Sequence, residues 1–485
     1  MKYTLYYITH KKILGGAKVC SILLMMLLLE GGQIVSAQQR IARENDKATK
    51  QDVSQTGVNG NTVFQHLPGV PIEKKYSFIH YDTNHLFIGG DTSVLNRFFK
   101  KWVTVATTGQ GNVNIMQLGS SHVQGGTFPD RVRCNIMKNN RERVGDRGMI
   151  FPYSAARNCN NPPDYAVHCA QSVDLCRNVY KNPSKQLGLC GIAVTAHDTN
   201  THIDIALREE GIRYATNQII VLGEQTDTLR DGRKVVPMIN YDGRDVPPSI
   251  VESSLRRYVF NLSRVVDSFR IVLPCHKGQM FSLTGVYLGN RSNGFSYHSI
   301  GVNGASLNDY LRCPYFSKDL SLLNPDLVIF GIGINDAVGP GFDSTAFHDR
   351  YLQLVNNIRK VNPNCAFIFI TNNDSYRRTG RRSYSCNRNA LMVQKIMYSL
   401  AEETKGAVWD QFEIMGGLKS MTQWRSAQLG QRDRVHFTRA GYQLLGDLLT
   451  NALFEAVNDY ADGADRSASC APSDSTSQRT SQARK

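Results

Sequence analysis

Three short stretches hold side chains whose types and spacing could carry out acyl transfer. The first is QLGSSHVQGG (117–126), where the apolar run VNIMQL reaches Gly119 and two serines follow. Glycine lets a chain turn sharply at a strand's end, and Ser121 would open the next helix, where free N–H groups favour negative charge. Alone, this is equally a strand–turn–helix junction with a serine cap. The second is GIGIND (331–336), in which Asn335 follows a buried-type apolar run. Its side-chain amide could donate to an oxyanion at the sheet edge or cap the following helix. The third is RDRVHFTRAGY (432–442), with Asp433 and His436 three residues apart. In a tight turn that spacing lets the carboxylate accept from His436 Nδ1, leaving Nε2 as a general base.

Together the three stretches supply a nucleophile, a base, an acid that orients the base, and oxyanion donors. The G-x-S-x-G elbow is absent, because Val123 stands where its last glycine would be. His122 follows the candidate nucleophile and is a candidate substrate contact or a structural hydrogen-bonding group. Asp336 is placed to brace the Asn335 loop. RRTGRR (377–382) falls in a loop after a strand end, where it could meet an acidic polymer or form a solvated surface run.

These residues need a scaffold that brings them to one edge. DLVIFGIG (326–333) and AFIFIT (366–371) read as buried parallel strands, and AVWD (407–410) as a last short one. Between them lie helical periods. Phe347, Tyr351, Leu354, Val355 and Ile358 form one stripe, and Val393, Ile396, Met397 and Leu400 another, with Gly406 as a stop. A final helix follows Thr438, a candidate N-cap. Alternating strands and helices predict a parallel sheet with helices on both faces, and functional groups gather at the carboxyl ends of its strands.

The first strand is separated from the rest by about 140 residues of another kind. THIDIAL, QIIVL, KVVPMI, RYVFNL, FRIVL and SLTGVYL are short strands divided by turn residues, as in an all-β sandwich. The expected organisation is a signal peptide over 1–37, a flexible leader over 38–75, an α/β domain over 76–155 and 297–461, an inserted β-rich accessory domain over 156–296, and a disordered tail over 462–485.

The N-terminus carries Lys2, Lys11, Lys12 and Lys18, then VCSILLMMLLL, then VSA ending at Ala37. That layout predicts export, and the apolar run is too short for a comfortable membrane span. No membrane span is therefore expected after cleavage. Of the 11 cysteines, Cys20 lies in the signal. Cys159, Cys169, Cys176 and Cys190 cluster without C-x-x-C and are expected as disulfides or buried thiols, not a zinc site. The net charge of +15 favours an acidic polymer or anionic surface as neighbour, and zinc-finger and leucine-zipper spacings, which would indicate nucleic acid, are absent.

The set as a whole resembles the SGNH (GDSL-type) hydrolase family. Its four marks are matched by GSSH at Ser121, GVNGA at Gly304, GIGIND at Asn335, and DRVH at Asp433 and His436. The resemblance implies a three-layer α/β/α fold with a flavodoxin-like parallel sheet, here carrying the inserted sandwich. It implies Ser121 as nucleophile, His436 as base oriented by Asp433, and an oxyanion hole of the Ser121 N–H, the Gly304 N–H and the Asn335 side chain. The sequence suggests no metal site and has no glycine loop of the P-loop or dinucleotide type, so no cofactor is expected. Ser120 stands where the family has aspartate. GSSHVQGG, GDRGMIFPY and WDQFEIMGG are similar to exported bacterial esterases related to peptidoglycan O-acetylesterases. The implied partner is an acetylated glycan such as peptidoglycan, and the implied location is the periplasm or cell envelope of a bacterium. Alternatives are a lipase or thioesterase of the same family, or a glycan-binding protein with weakened catalysis.

Overall fold

The computed structural model describes residues 63–156, 161–170, 173–208, 212–225, 234–381 and 383–469. The signal peptide, the first part of the leader, Cys159 and the end of the tail lie outside them.

One sheet positions the site. Its strand order is Leu86–Ile88, Ala407–Trp409, Ala366–Ile370, Leu327–Gly331, Asn112–Gly119 and Gly294–Gly301. Every neighbouring pair is parallel except the antiparallel edge strand Leu86–Ile88. The strands Leu327–Gly331 and Ala366–Ile370 are apolar throughout because both faces are covered. Asn112–Gly119 and Gly294–Gly301 add buried polar residues such as Gln117 and His298, and a period of two divides the side chains between the faces. Val113, Ile115, Leu327, Ile329, Ala366 and Ile368 face one cluster, shared with Phe98, Trp102, Val132 and Leu448. These come from the helices Ser93–Thr108, Thr127–Asn139 and Arg439–Ser469. Met116, Leu118, Val328, Phe330, Phe367 and Phe369 face the other, against Leu320, Tyr351, Leu354, Met397 and Leu400. These come from the helices Phe316–Leu323, Ser344–Arg359 and Asn389–Thr404. The fold is a three-layer α/β/α sandwich.

The stripe on Ser344–Arg359 is buried at Phe347, Tyr351, Leu354, Val355 and Ile358. Asn389–Thr404 ends differently from expectation. Lys405 takes the left-handed conformation at φ 56°, one residue before Gly406. Thr438 Oγ1 accepts from the Gly441 N–H at 3.2 Å, an N-cap bond for the final helix. That helix runs on to Ser469, past residue 462, where the sequence composition had suggested a tail.

Part of the expected leader is also ordered. Residues 63–75 form no helix or strand but lie along the final helix. Asn458 Oδ1 accepts from the Leu67 N–H at 2.9 Å and its Nδ2 donates to the Leu67 carbonyl at 3.1 Å. Asn451 treats Val70 the same way, at 2.6 and 2.9 Å. Two asparagine amides thus pair with an extended backbone as a neighbouring strand would.

Apart from one two-stranded hairpin, the remaining strands among the described residues form antiparallel sheets of 5 and 7 strands with one continuous apolar cluster. They begin with Gly148–Ile150, which pairs with Phe281–Gly289, and the parallel sheet resumes at Gly294. Cys176 and Cys190 are buried free thiols. Among the described residues no helix is long and apolar enough to cross a membrane.

Candidate active site

The strand Asn112–Gly119 delivers Ser121 to the carboxyl edge of the sheet. Gly119 is required there for space. A Cβ would lie 2.3 Å from Val123 Cγ2 and 2.6 Å from the Gly331 carbonyl oxygen. The Gly119 carbonyl accepts from the Tyr310 hydroxyl at 2.9 Å, so the strand end carries no unmet acceptor. Ser121 then begins the short helix Ser121–Gln124, while Ser120 precedes it, fully buried.

The turn between Gly430 and Phe437 supplies the partner groups. Ser121 Oγ lies 2.7 Å from His436 Nε2, and His436 Nδ1 lies 2.6 Å from Asp433 Oδ2. Ionised Asp433 can only accept, so Nδ1 holds the ring proton and Nε2 is left to accept from the serine hydroxyl. Asp433 Oδ1 also accepts from the N–H groups of Val435 and His436, both at 3.0 Å. Burial pushes this carboxyl upward, but the bonds from His436 and the two N–H groups outweigh it and hold it well below the usual carboxylate range. The His436 and Asp433 side chains are 31% and 44% exposed, so the site is open to solvent.

The loops of Gly304 and Asn335 are tied to the same edge. Gln124, on the helix of Ser121, accepts from the Asn303 N–H at 2.7 Å. Asn335 Nδ2 donates to the Ala305 carbonyl at 2.9 Å, and the second N–H of that amide has no partner among the described residues. Gly304 lies between these anchors at φ +83°, a conformation that favours glycine even though a Cβ would meet nothing. Both Asp336 carboxylate oxygens accept from the Leu307 N–H, at 3.1 and 3.2 Å, and burial raises this acid to about 7.

His122 is placed differently from a substrate contact. Its Nδ1 lies 2.8 Å from the Tyr442 hydroxyl, its Nε2 is buried, and its ring centre is 5.1 Å from that of His436. Burial, then the nearby His436, lowers its pKa to about 3. With both nitrogens turned inward, His122 packs behind the base as a neutral ring. Sequence reasoning missed Gln124 and Asn373. Asn373 Nδ2 donates to the Val435 carbonyl at 3.0 Å and so holds the histidine loop. The polar run directly after AFIFIT was the available signal, since it ends a strand on the functional edge.

Residues 283–444 match the GDSL-like Lipase/Acylhydrolase family. The chain carries a GDSL-like acylhydrolase domain. The matched span includes Gly304, Asn335, Asp433 and His436; Ser121 lies before it, on the far side of the β-rich insertion. With the domain comes the ester-hydrolase character of its family. No curated protein matches the chain. Among solved structures, the chain is similar to one described as "Peptidoglycan O-acetylesterase in action", with 20% identity and a TM-score of 0.63. The similarity covers 77% of this chain and 99% of that one, so the two share a fold that includes the β-rich insertion's length. An acetyl xylan esterase (20% identity, TM-score 0.27) covers 33% of this chain with 81% of its own. A lipase/acylhydrolase from Enterococcus faecalis (22% identity, TM-score 0.27) covers 34% with 77% of its own.

Proposed function

We propose that the protein is a serine esterase that removes O-acetyl groups from a cell-envelope carbohydrate, peptidoglycan first among them. The observation that carries this reading is the unbroken chain Ser121–His436–Asp433, at 2.7 and 2.6 Å. As Ser121 Oγ attacks the acetyl carbonyl, His436 Nε2 takes its proton, and Asp433 stabilises the imidazolium that results. The oxyanion meets the Ser121 N–H, the Gly304 N–H and the free N–H of Asn335. His436 then returns the proton to the departing sugar hydroxyl, the ester C–O bond breaks, and an acetyl-enzyme remains. Water gives a proton to His436 and attacks that acetyl group, releasing acetate and restoring Ser121.

The likeness to a peptidoglycan O-acetylesterase over most of the chain supports an acetylated glycan as substrate. The basic, then apolar, N-terminus supports export to the periplasm or cell envelope.

The test is acetate release from O-acetylated peptidoglycan by wild type and Ser121→Ala. The variant is expected to lose roughly 10³-fold or more in kcat and to keep its melting temperature. Equal rates would overturn the mechanism. A preference of the wild type for long-chain acyl esters over acetyl esters would overturn the substrate.

A further inference from the structure

A hairpin beside the catalytic loop has no part in the reaction just derived. Its strands are Tyr376–Arg378 and Tyr384–Cys386, paired antiparallel. It carries Arg377, Arg378 and Arg381, all exposed. Its base is built into the loop of His436. The Tyr376 N–H donates to the Arg434 carbonyl at 3.0 Å. The Arg434 guanidinium lies 4.5 Å from the centre of the Tyr384 ring and 5.4 Å from that of Tyr376. On its other side the hairpin reaches the loop that follows Asn335, where Arg377 Nη1 lies 3.8 Å from the position of a Cβ on Gly339. Arg377 therefore stands between the loop of the base and the loop of the oxyanion donor.

The charge there is uncompensated. Among the described residues Arg377, Arg378, Arg381, Arg432 and Arg434 form no ion pair, and Asp433, the acid in their midst, is engaged by His436. Arg378 is spent on its own turn, donating to the carbonyls of Gly380 and Arg381, both at 3.0 Å. Arg377 and Arg381 keep their guanidinium groups free. Clustered cations repel one another, and on the rim of a site they concentrate anions at its mouth. A guanidinium fork fits a carboxylate with two parallel hydrogen bonds.

We propose that this hairpin is a subsite for carboxylates borne by the polymer being deacetylated, with Arg377 and Arg381 as its contacts. The proposal rests on the esterase reading above and adds a selection to it: acetylated glycans with acidic groups are preferred over neutral ones.

The test compares acetylated polygalacturonate, which is anionic, with acetylated glucomannan, which is neutral, and runs O-acetylated peptidoglycan beside them. In Arg377→Glu/Arg381→Glu the ratio of kcat/KM on the anionic polymer to that on the neutral one is expected to fall about tenfold or more, through KM. Arg377→Lys/Arg381→Lys should keep most of the preference, and high salt should erase it in the wild type. An unchanged ratio in the glutamate variant, or equal loss on both polymers, overturns the proposal. If peptidoglycan releases no acetate while the anionic preference persists, the peptidoglycan reading falls and the subsite stands. If peptidoglycan is deacetylated and the ratio does not move, the subsite falls alone.

Discussion

Two adjacent serines occupy the turn, and their surroundings separate them. Ser121 Oγ meets a histidine, whereas Ser120 is fully buried and its Oγ has no hydrogen-bond partner among the described residues. The Ser120 contribution is made by its backbone, since its carbonyl accepts from the N–H groups of Val123 and Gln124 at 3.1 and 2.9 Å. Ser120→Ala removes a buried hydroxyl and none of those bonds. It is expected to keep esterase activity within about threefold and to leave stability equal or up to ~1 kcal/mol higher. Activity assays and denaturant melts of the variant check both. An activity loss as deep as that of Ser121→Ala would mean that the attacking serine had been assigned wrongly.

At the scale of elements, the turn works because two backbones and a side chain meet where Gly119 has no Cβ. Gly119→Ala forces that atom against Val123 and the Gly331 carbonyl. The expected cost is about 2–3 kcal/mol, as for other overpacked sites, read from denaturant unfolding. Adding Val123→Ala should restore less than half of it, because the carbonyl remains. Much at this scale was legible in the sequence. The apolar runs of Leu327–Gly331 and Ala366–Ile370 and the Phe347–Ile358 stripe declare themselves, since burial on two faces or on one leaves a regular mark. The GSSH, GIGIND and DRVH stretches were legible because each borders a strand or helix that the sequence declares. The strap at 63–75 was not, because it is held by Asn451 and Asn458, which lie hundreds of residues away and leave no local pattern. The position of the arginine hairpin was hidden for the same reason: its contacts to Arg434 and to the loop of Gly339 are tertiary. The inward turn of His122 depends on Tyr442, again a contact that no local spacing records.

Across the whole molecule, the insertion is fixed to the α/β layers by buried charge. Asp164, just before the strand Tyr165–Cys169, meets Arg147 and lies 3.1 Å from Arg133 on the helix Thr127–Asn139. Both arginines and the acid are buried. Burial raises the Asp164 pKa, but Arg133 and Arg147 outweigh it and lower the acid to about 2. A depressed acid stabilises the fold above its unfolded value and loses that stabilisation as pH falls through its folded value. Asp164→Asn leaves Arg147 without its carboxylate and Arg133 with Asp130 alone, in a dry site, at an expected cost of about 3 kcal/mol near neutral pH. The gap to wild type should close as pH drops from about 4 toward 2. Unfolding curves across that range would decide it, and a gap independent of pH would remove Asp164 from this role. The same insertion also sets an order of events. Gln117 on the strand Asn112–Gly119 and Tyr297 on the edge strand beside it are hydrogen-bonded and 180 residues apart, and Ser121 and His436 are 315 apart. A chain emerging from the ribosome must therefore carry its first core strand without its neighbour until the whole insertion has been made. Closing so long a loop is slow and leaves strand edges open meanwhile. The enzyme is thus assembled last where it acts, and nascent chains stalled before the final helix are expected to be inert and in need of a chaperone.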